Sequence, residues 1–244
     1  MIKLANNIYT SEARVNFYGA SLQTRMAVIK LSDESLLIYS PVSLTPGIKR
    51  QLDELGPVSC VVAPNKIHNQ ALNNYAADYP GAKIFAAPGL PERKPDMDYA
   101  GVLTDQPEPE WKDDIDQVLT KGNVFFSEVI FFHKLSKTLL VCDLVENFNK
   151  STTSMMALFR LFGVKQRPMA SPEFRMYTAN GDKARRALET VQAWDFERIF
   201  LCHGDIIDCD AKAVFNGVCS EYLDGAEAKG WISNKLSEIF AKYQ

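Results

Sequence analysis

The sequence predicts an α/β protein in which two mixed β-sheets pack face to face and carry helices on their outer surfaces. Two observations point there. Apolar runs of strand length alternate with amphipathic runs of helix length, and the pattern occurs twice, each β-rich half being followed by helices. No repeat of short fixed period and no low-complexity stretch interrupts it, so residues 1–244 read as one domain. A hydrophobic fraction of 46% supplies enough apolar side chains for a full core.

The elements follow in order. RMAVIKL and SLLIYSPV are strand-like runs separated by the turn-forming SDE, and SLTPGIKRQLDELG reads as a helix that stops at Gly56. Next come a strand over SCVVA, a helix from Asn65 to about Tyr79, a strand over AKIFAA and the turn PGLPERKPD. Residues 96–111, polar and proline-containing, read as a surface connection. The second half restarts with IDQVL. NVFFSEVIFFH and KTLLVCDLV then face each other across KLSK, an antiparallel hairpin signal. Residues 150–165 read as a helix whose Met155–Phe162 stripe offers either a core face or a dimer surface. DKARRALETVQAW is amphipathic and leads into the strand ERIFLCHG. Two helices, about 210–224 and 228–242, close the chain.

Composition excludes several classes. The formal net charge is −3, and no Lys/Arg cluster forms a basic stripe, so a nucleic-acid backbone is not the expected partner. MIKLANNIYT lacks the apolar stretch of a signal peptide, and no apolar run approaches the ~20 residues of a membrane helix. Cysteines number five and sit mostly inside apolar runs, which fits reduced thiols in a cytoplasmic protein. No CxxC pair suggests a structural zinc. Cys142 and Cys202 each precede a candidate site residue, and strand alternation predicts that they face away from it. A small-molecule substrate or ligand remains the expected partner.

Histidine is scarce, at three residues, and two of the three follow strand-like runs. His68 comes after SCVVAPNKI, in the first turn of the helix expected to start at the N-cap Asn65. His203 ends RIFLC and is followed by Gly204, which lets the chain turn beside the imidazole. Asp143 ends TLLVC. Residues just past the carboxyl ends of strands converge on one edge of an α/β sheet, so a His68/Asp143/His203 cluster is expected. Each has a structural alternative: a helix-start histidine, a helix cap and a strand-end histidine. His133 does not belong with them. It sits beside the KLSK turn, about 20 Å down the hairpin from Asp143. Ser127 and Glu128 stand level with Asp143 instead, and Glu128 or Asn123 is a candidate to line the same cleft.

LLVCD and FLCHGD resemble the segments of the metallo-β-lactamase fold that supply its bridging aspartate and last histidine. RMAVIKLSDESLLIYSPVSL, VVAPNKIHNQAL, YPGAKIFAAPGL and EVIFFHKLSKTLLVCDLVENF are similar, more specifically, to a family of this fold, the DUF4336 family. The resemblance implies a four-layer αββα sandwich. It also implies a metal motif, HxHxDH, after SCVVA. Here that segment is Ala63-Pro64-Asn65-Lys66-Ile67-His68-Asn69, and in either of two registers its first two histidines are missing. A mid-chain histidine is replaced near Asn123, and Ser40-Pro41-Val42 stands where catalytic relatives carry an Asp-containing turn. The full dinuclear site requires five histidines, so its three-histidine position cannot form. What remains is a degenerate, mononuclear His68/Asp143/His203 site for one zinc or iron ion. Di-iron redox chemistry has no ligands for its second iron.

Two functional readings follow. In one the protein is a divergent hydrolase with a single metal, or a metal-free site using Asp143 and His203 as acid and base. In the other it is a non-catalytic descendant that binds a ligand or a protein. Fold does not decide between them.

Overall fold

A computed structural model describes residues 1–17, 20–148 and 163–228. Its larger sheet has seven strands in sequential order, β1 (Ile2–Ala5), β2 (Ile8–Phe17), β3 (Ala20–Lys30), β4 (Leu36–Tyr39), β5 (Val58–Ala63), β6 (Lys83–Ala86) and β7 (Gly101–Val102). The first four strands pair antiparallel and β4 to β7 pair parallel. The smaller sheet comprises β8 (Ile115–Leu119), β9 (Val129–His133), β10 (Thr138–Val141) and β13 (Arg198–Leu201), in the order β13-β10-β9-β8. Here β13 runs parallel to β10 and the other pairs are antiparallel, so both sheets are mixed. A short ribbon joins β11 (Glu146–Asn147) to β12 (Pro168–Met169).

Three apolar clusters separate four layers. Between the sheets, Ala27, Leu37, Tyr39 and Val62 of the larger meet Val129, Phe131, Leu140 and Phe200 of the smaller. Outside the larger sheet, Val28, Ile38 and Val61 pack against α1 (Pro46–Leu55), α2 (Leu72–Asp78) and α3 (Leu90–Arg93) through Leu52, Tyr75 and Leu90. Outside the smaller sheet, Ile130, Leu139 and Ile199 pack against α4 (Pro172–Tyr177), α5 (Gly181–Ala193) and α6 (Ala211–Ala228). A sheet whose two faces are both covered needs strands that are apolar throughout, and β4 and β10 are buried at every position. The expected αββα order is therefore present.

Local chemistry explains the boundaries. Helix α1 starts where the Thr45 hydroxyl accepts from the N–H of Ile48 and proline occupies the first helical position. Helices α4 and α5 start on Ser171 and Asn180, whose side chains accept from the N–H groups of Phe174 and Lys183, and α4 also begins with proline. The KLSK hairpin has the expected register, with His133 opposite Thr138.

Several expectations are corrected. The chain after β5 does not enter a helix at Asn65; residues 64–71 form a loop, and α2 begins only at Leu72. Strand β9 begins at Val129 rather than at Asn123, and the polar N-terminal segment supplies β1 and β2. Residues 96–111 are not merely a surface connection, because they add β7 and bury Trp111 between the sheets. The Met155–Phe162 stripe and the helix at 228–242 lie outside the described residues, apart from Ala228 at the end of α6. Among the described residues, no helix is long and apolar enough to cross a membrane.

Candidate metal centre

His68, Asp143 and His203 meet at one edge of the sandwich. The Nε2 atoms of His68 and His203 are 3.0 Å apart, and they lie 3.4 and 3.3 Å from Oδ1 of Asp143. Each residue comes from a different turn. His68 sits in the loop after β5, Asp143 two residues past the end of β10, and His203 two residues past β13. Because β10 and β13 are parallel neighbours with Val141 opposite Leu201, the last two project from the same level.

Buried partners fix each group. The Nδ1 of His203 lies 2.9 Å from the carbonyl oxygen of Gln23. A carbonyl only accepts, so Nδ1 carries the hydrogen and Nε2 of the neutral ring presents its lone pair to the site. Nδ1 of His68 lies 2.8 Å from the Ser40 hydroxyl. The His203 turn is held by Arg25, whose buried guanidinium donates to the carbonyls of Leu201 and Gly204 and pairs with Glu12. Gly204 has φ 81°, and a Cβ there would collide with the carbonyl of Asn147, so this tight turn admits glycine alone.

Asn65 and Glu128 build the floor. The Asn65 carboxamide accepts from the N–H groups of Ile67 and His68, while its Nδ2 donates to Oδ2 of Asp143 at 2.7 Å. The helix-capping pattern read in the sequence is thus a local side-chain turn that leaves the other end of the amide free to reach across the sheets. Glu128 is fully buried and accepts from the N–H groups of Cys142, Asp143 and Leu144. It stands level with Asp143, as hairpin arithmetic expected, but grips the backbone there instead of lining the cleft. Asn123 also leaves the cleft, capping a turn at Phe125 and Phe126 and donating to the carbonyl of Glu173.

Sequence reasoning missed Glu146 and Glu173. With Thr24, Gln70 and the two histidines they line a cavity of about 60 Å³ above the cluster. Glu146 follows Asp143 by three residues in a stretch without strand periodicity, and nothing local in the sequence marked it. His133 is buried at the far end of the hairpin and takes no part.

Electrostatics set the protonation states. Burial alone would raise the Asp143 carboxyl, but the two imidazoles hold it well below the usual carboxylate range. Burial disfavours a proton on His203, yet the Asp143 carboxylate beside it lifts the group to about 10. Burial and the nearby Asp143 push Glu128 up to about 8, opposed by the backbone N–H donors. Glu146 is raised to about 8, chiefly by burial.

The Cys142 and Cys202 expectation is overturned. Both thiols are fully buried in the inter-sheet core, and both Sγ atoms lie within 4.8 Å of each other and of a ring nitrogen of His68. Strand alternation fails here because Asp143 and His203 lie past the strand ends, where the chain bends and the two-residue period stops applying.

A family profile, "Domain of unknown function (DUF4336)", matches residues 5–171. The chain belongs to the DUF4336 family. A sequence search of curated proteins finds no match. Solved structures of the metallo-β-lactamase fold do resemble this DUF4336 protein. The DIM-1 metallo-β-lactamase superposes with a TM-score of 0.62 at 12% identity, over 90% of this chain and 95% of that one. The metallo-β-lactamase from Pontibacter korlensis gives 0.61 at 10% identity, over 89% and 97%. The metal-soaked Flv1 flavodiiron core from Synechocystis sp. PCC6803 gives 0.64 at 10% identity, over 91% of this chain and 60% of that chain. At such identities the likeness establishes the fold: this is a metallo-β-lactamase-fold protein.

Proposed function

We propose that this DUF4336 protein is a hydrolase-like protein with one metal position, formed by His68, Asp143 and His203 and suited to zinc or iron. One observation carries the reading. The two Nε2 atoms and Oδ1 form a triangle with edges of 3.0, 3.3 and 3.4 Å. Ligands at 2.0–2.1 Å around a tetrahedral zinc are separated by about 3.3 Å, so the triangle matches one face of such a tetrahedron. With the His203 lone pair and the Asp143 carboxylate both facing inward, the cluster suits a metal ion as well as it suits an N–H donated from Nε2 of His68. Two nitrogens and one carboxylate oxygen with an open fourth position is the donor set of a catalytic rather than a structural zinc site.

When bound, such an ion supplies Lewis acidity and brings the pKa of water to about 7. The surrounding residues have definable tasks. Asn65 and Glu128 orient Asp143 from below, and Gln23 and Arg25 orient His203 from the side. At neutral pH the Glu146 carboxyl holds its proton at the cavity wall, where it can protonate a leaving group. The cavity of about 60 Å³ has room for a water and one reacting functional group. A small-molecule ester, thioester or phosphodiester is the substrate class to screen, in a cytoplasmic setting without nucleic acid or membrane.

Elemental analysis of protein purified without chelator tests this, alongside His203→Ala. About one zinc or iron per chain, lost in the variant, is the expected result. Absence of metal from both, even after incubation with Zn²⁺, overturns the metal reading.

A further inference from the structure

A second group of donors shares His68 with the first and adds two residues, Cys142 and Cys202, that the reading above does not use. The two Sγ atoms of Cys142 and Cys202 and a ring nitrogen of His68 all fall within 4.8 Å of one another. The thiols follow directly on adjacent parallel strands whose last paired residues are Val141 and Leu201, so the sheet sets them side by side. Ser40 completes the group. Its hydroxyl is 2.8 Å from Nδ1 of His68 and 3.9 Å from the Cys142 sulfur. Ser40 has φ 56°, a left-handed backbone that a serine adopts at a cost, and that conformation belongs to the residue whose hydroxyl touches both His68 and Cys142. The two ring nitrogens of His68 thus address different neighbours, Nε2 the upper triangle and Nδ1 the Ser40–Cys142 side.

We propose that Cys142, Cys202 and His68 form a thiolate-rich position for a thiophilic d¹⁰ cation of the zinc class, below the His68/Asp143/His203 triangle and joined to it through the His68 ring. Soft thiolate sulfur with one imidazole selects zinc-class ions over hard ones such as magnesium or calcium. Around a tetrahedral zinc with Zn–S near 2.3 Å, sulfur atoms stand about 3.8 Å apart, within the span that these donors occupy. Burial holds the Cys142 thiol well above its ordinary range. Holding a divalent ion through two thiolates breaks two S–H bonds, forms two metal–sulfur bonds and releases two protons to solvent.

Cobalt(II) titration of metal-stripped full-length protein under anaerobic conditions tests this. Cys209, an exposed thiol, is first replaced by serine. Expected is an intense near-ultraviolet sulfur-to-cobalt charge-transfer band, lost in both Cys142→Ala and Cys202→Ala and retained in Asp143→Asn. Visible ligand-field bands without the charge-transfer band in the Cys209→Ser protein overturn the thiolate position and leave the upper triangle standing. Failure to bind cobalt at all overturns both. A charge-transfer band that survives either cysteine variant also overturns the assignment. The spectrum with Cys142 and Cys202 intact decides by itself if either variant fails to fold.

Discussion

The two sheets furnish the candidate site in unequal ways. The smaller sheet delivers Asp143 and His203 from strand-end turns tied to the backbone at several points, by Glu128 on one side and by Arg25 and Gln23 on the other. The larger sheet delivers one donor, His68, from a loop held by the Asn65 carboxamide and the Ser40 hydroxyl. Histidines implied by the fold are missing from that loop, and Asn65 there orients Asp143 from across the sandwich. The difference teaches that two unlike supports can bring side chains to one point. Strand-end turns tied to the backbone place Asp143 and His203, and a loop held by side chains adds a single imidazole.

The largest effect should come from the anchored half. His203→Ala or Asp143→Ala is expected to weaken zinc binding by more than ~100-fold, beyond the 10–100-fold typical of losing an outer-shell partner. His68→Ala should fall within that smaller range. Competition titration with a chromophoric chelator measures all three, and equal losses would abolish the asymmetry. Next in size is the contrast between the two supports. Glu128→Ala strands three buried N–H groups and should cost about 3 kcal/mol, lowering Tm by roughly 6–12 °C. Asn65→Ala should cost about 1–2 kcal/mol while weakening metal binding ~10-fold. Thermal melts that reverse this order would show the loop to be the stiffer half.

Two smaller effects concern protons. In the apo protein His203, raised to about 10, adds stability that is fully present below about 6.5 and is lost as pH rises through its folded value. Zinc binding near pH 7.5 must displace that proton. Calorimetry in buffers of different ionisation enthalpy should record about one proton released for the upper position alone, measured in the Cys142→Ala protein. Zero release would mean that His203 is already neutral. Glu146, raised from 4.5 to about 8, moves stability in the same direction with pH, although here the fold favours the neutral form. The folded state binds more protons than the unfolded state between those values, so stability falls as pH rises across the window. Glu146→Gln should raise Tm at pH 8 more than at pH 5, and a gain independent of pH would remove Glu146 from the set of buried acids.

Much of this was legible in the chain. The apolar runs over 25–31, 35–42 and 137–145 marked β3, β4 and β10, because strands covered on both faces cannot disguise their hydrophobicity. Asp143 and His203 were legible because they end such runs. The rest turned on side chains that act across the fold. Asn65 gives the same local signal whether a helix follows or its free amide reaches Asp143, so the signal alone cannot show that the helix begins only at Leu72. β1 and β2 were hidden by alternating polar residues. Cys142 and Cys202 were misdirected because a two-residue period was carried past the strand ends, and Glu146 carried no signal until the ribbon folded over the cluster.

The contact between His203 Nδ1 and the Gln23 carbonyl joins residues 180 positions apart. Its consequence is one of timing. During synthesis the seven-stranded sheet and the His68 loop can form long before β13 exists, and no donor triangle is present until that last strand docks. An ion held by the proposed triangle would therefore not template the early chain and would act only after β13 docks. By mass action, free ion at 100 times its Kd would add about 2.7 kcal/mol to that closure, making metal occupancy a gauge of how completely the two halves have come together.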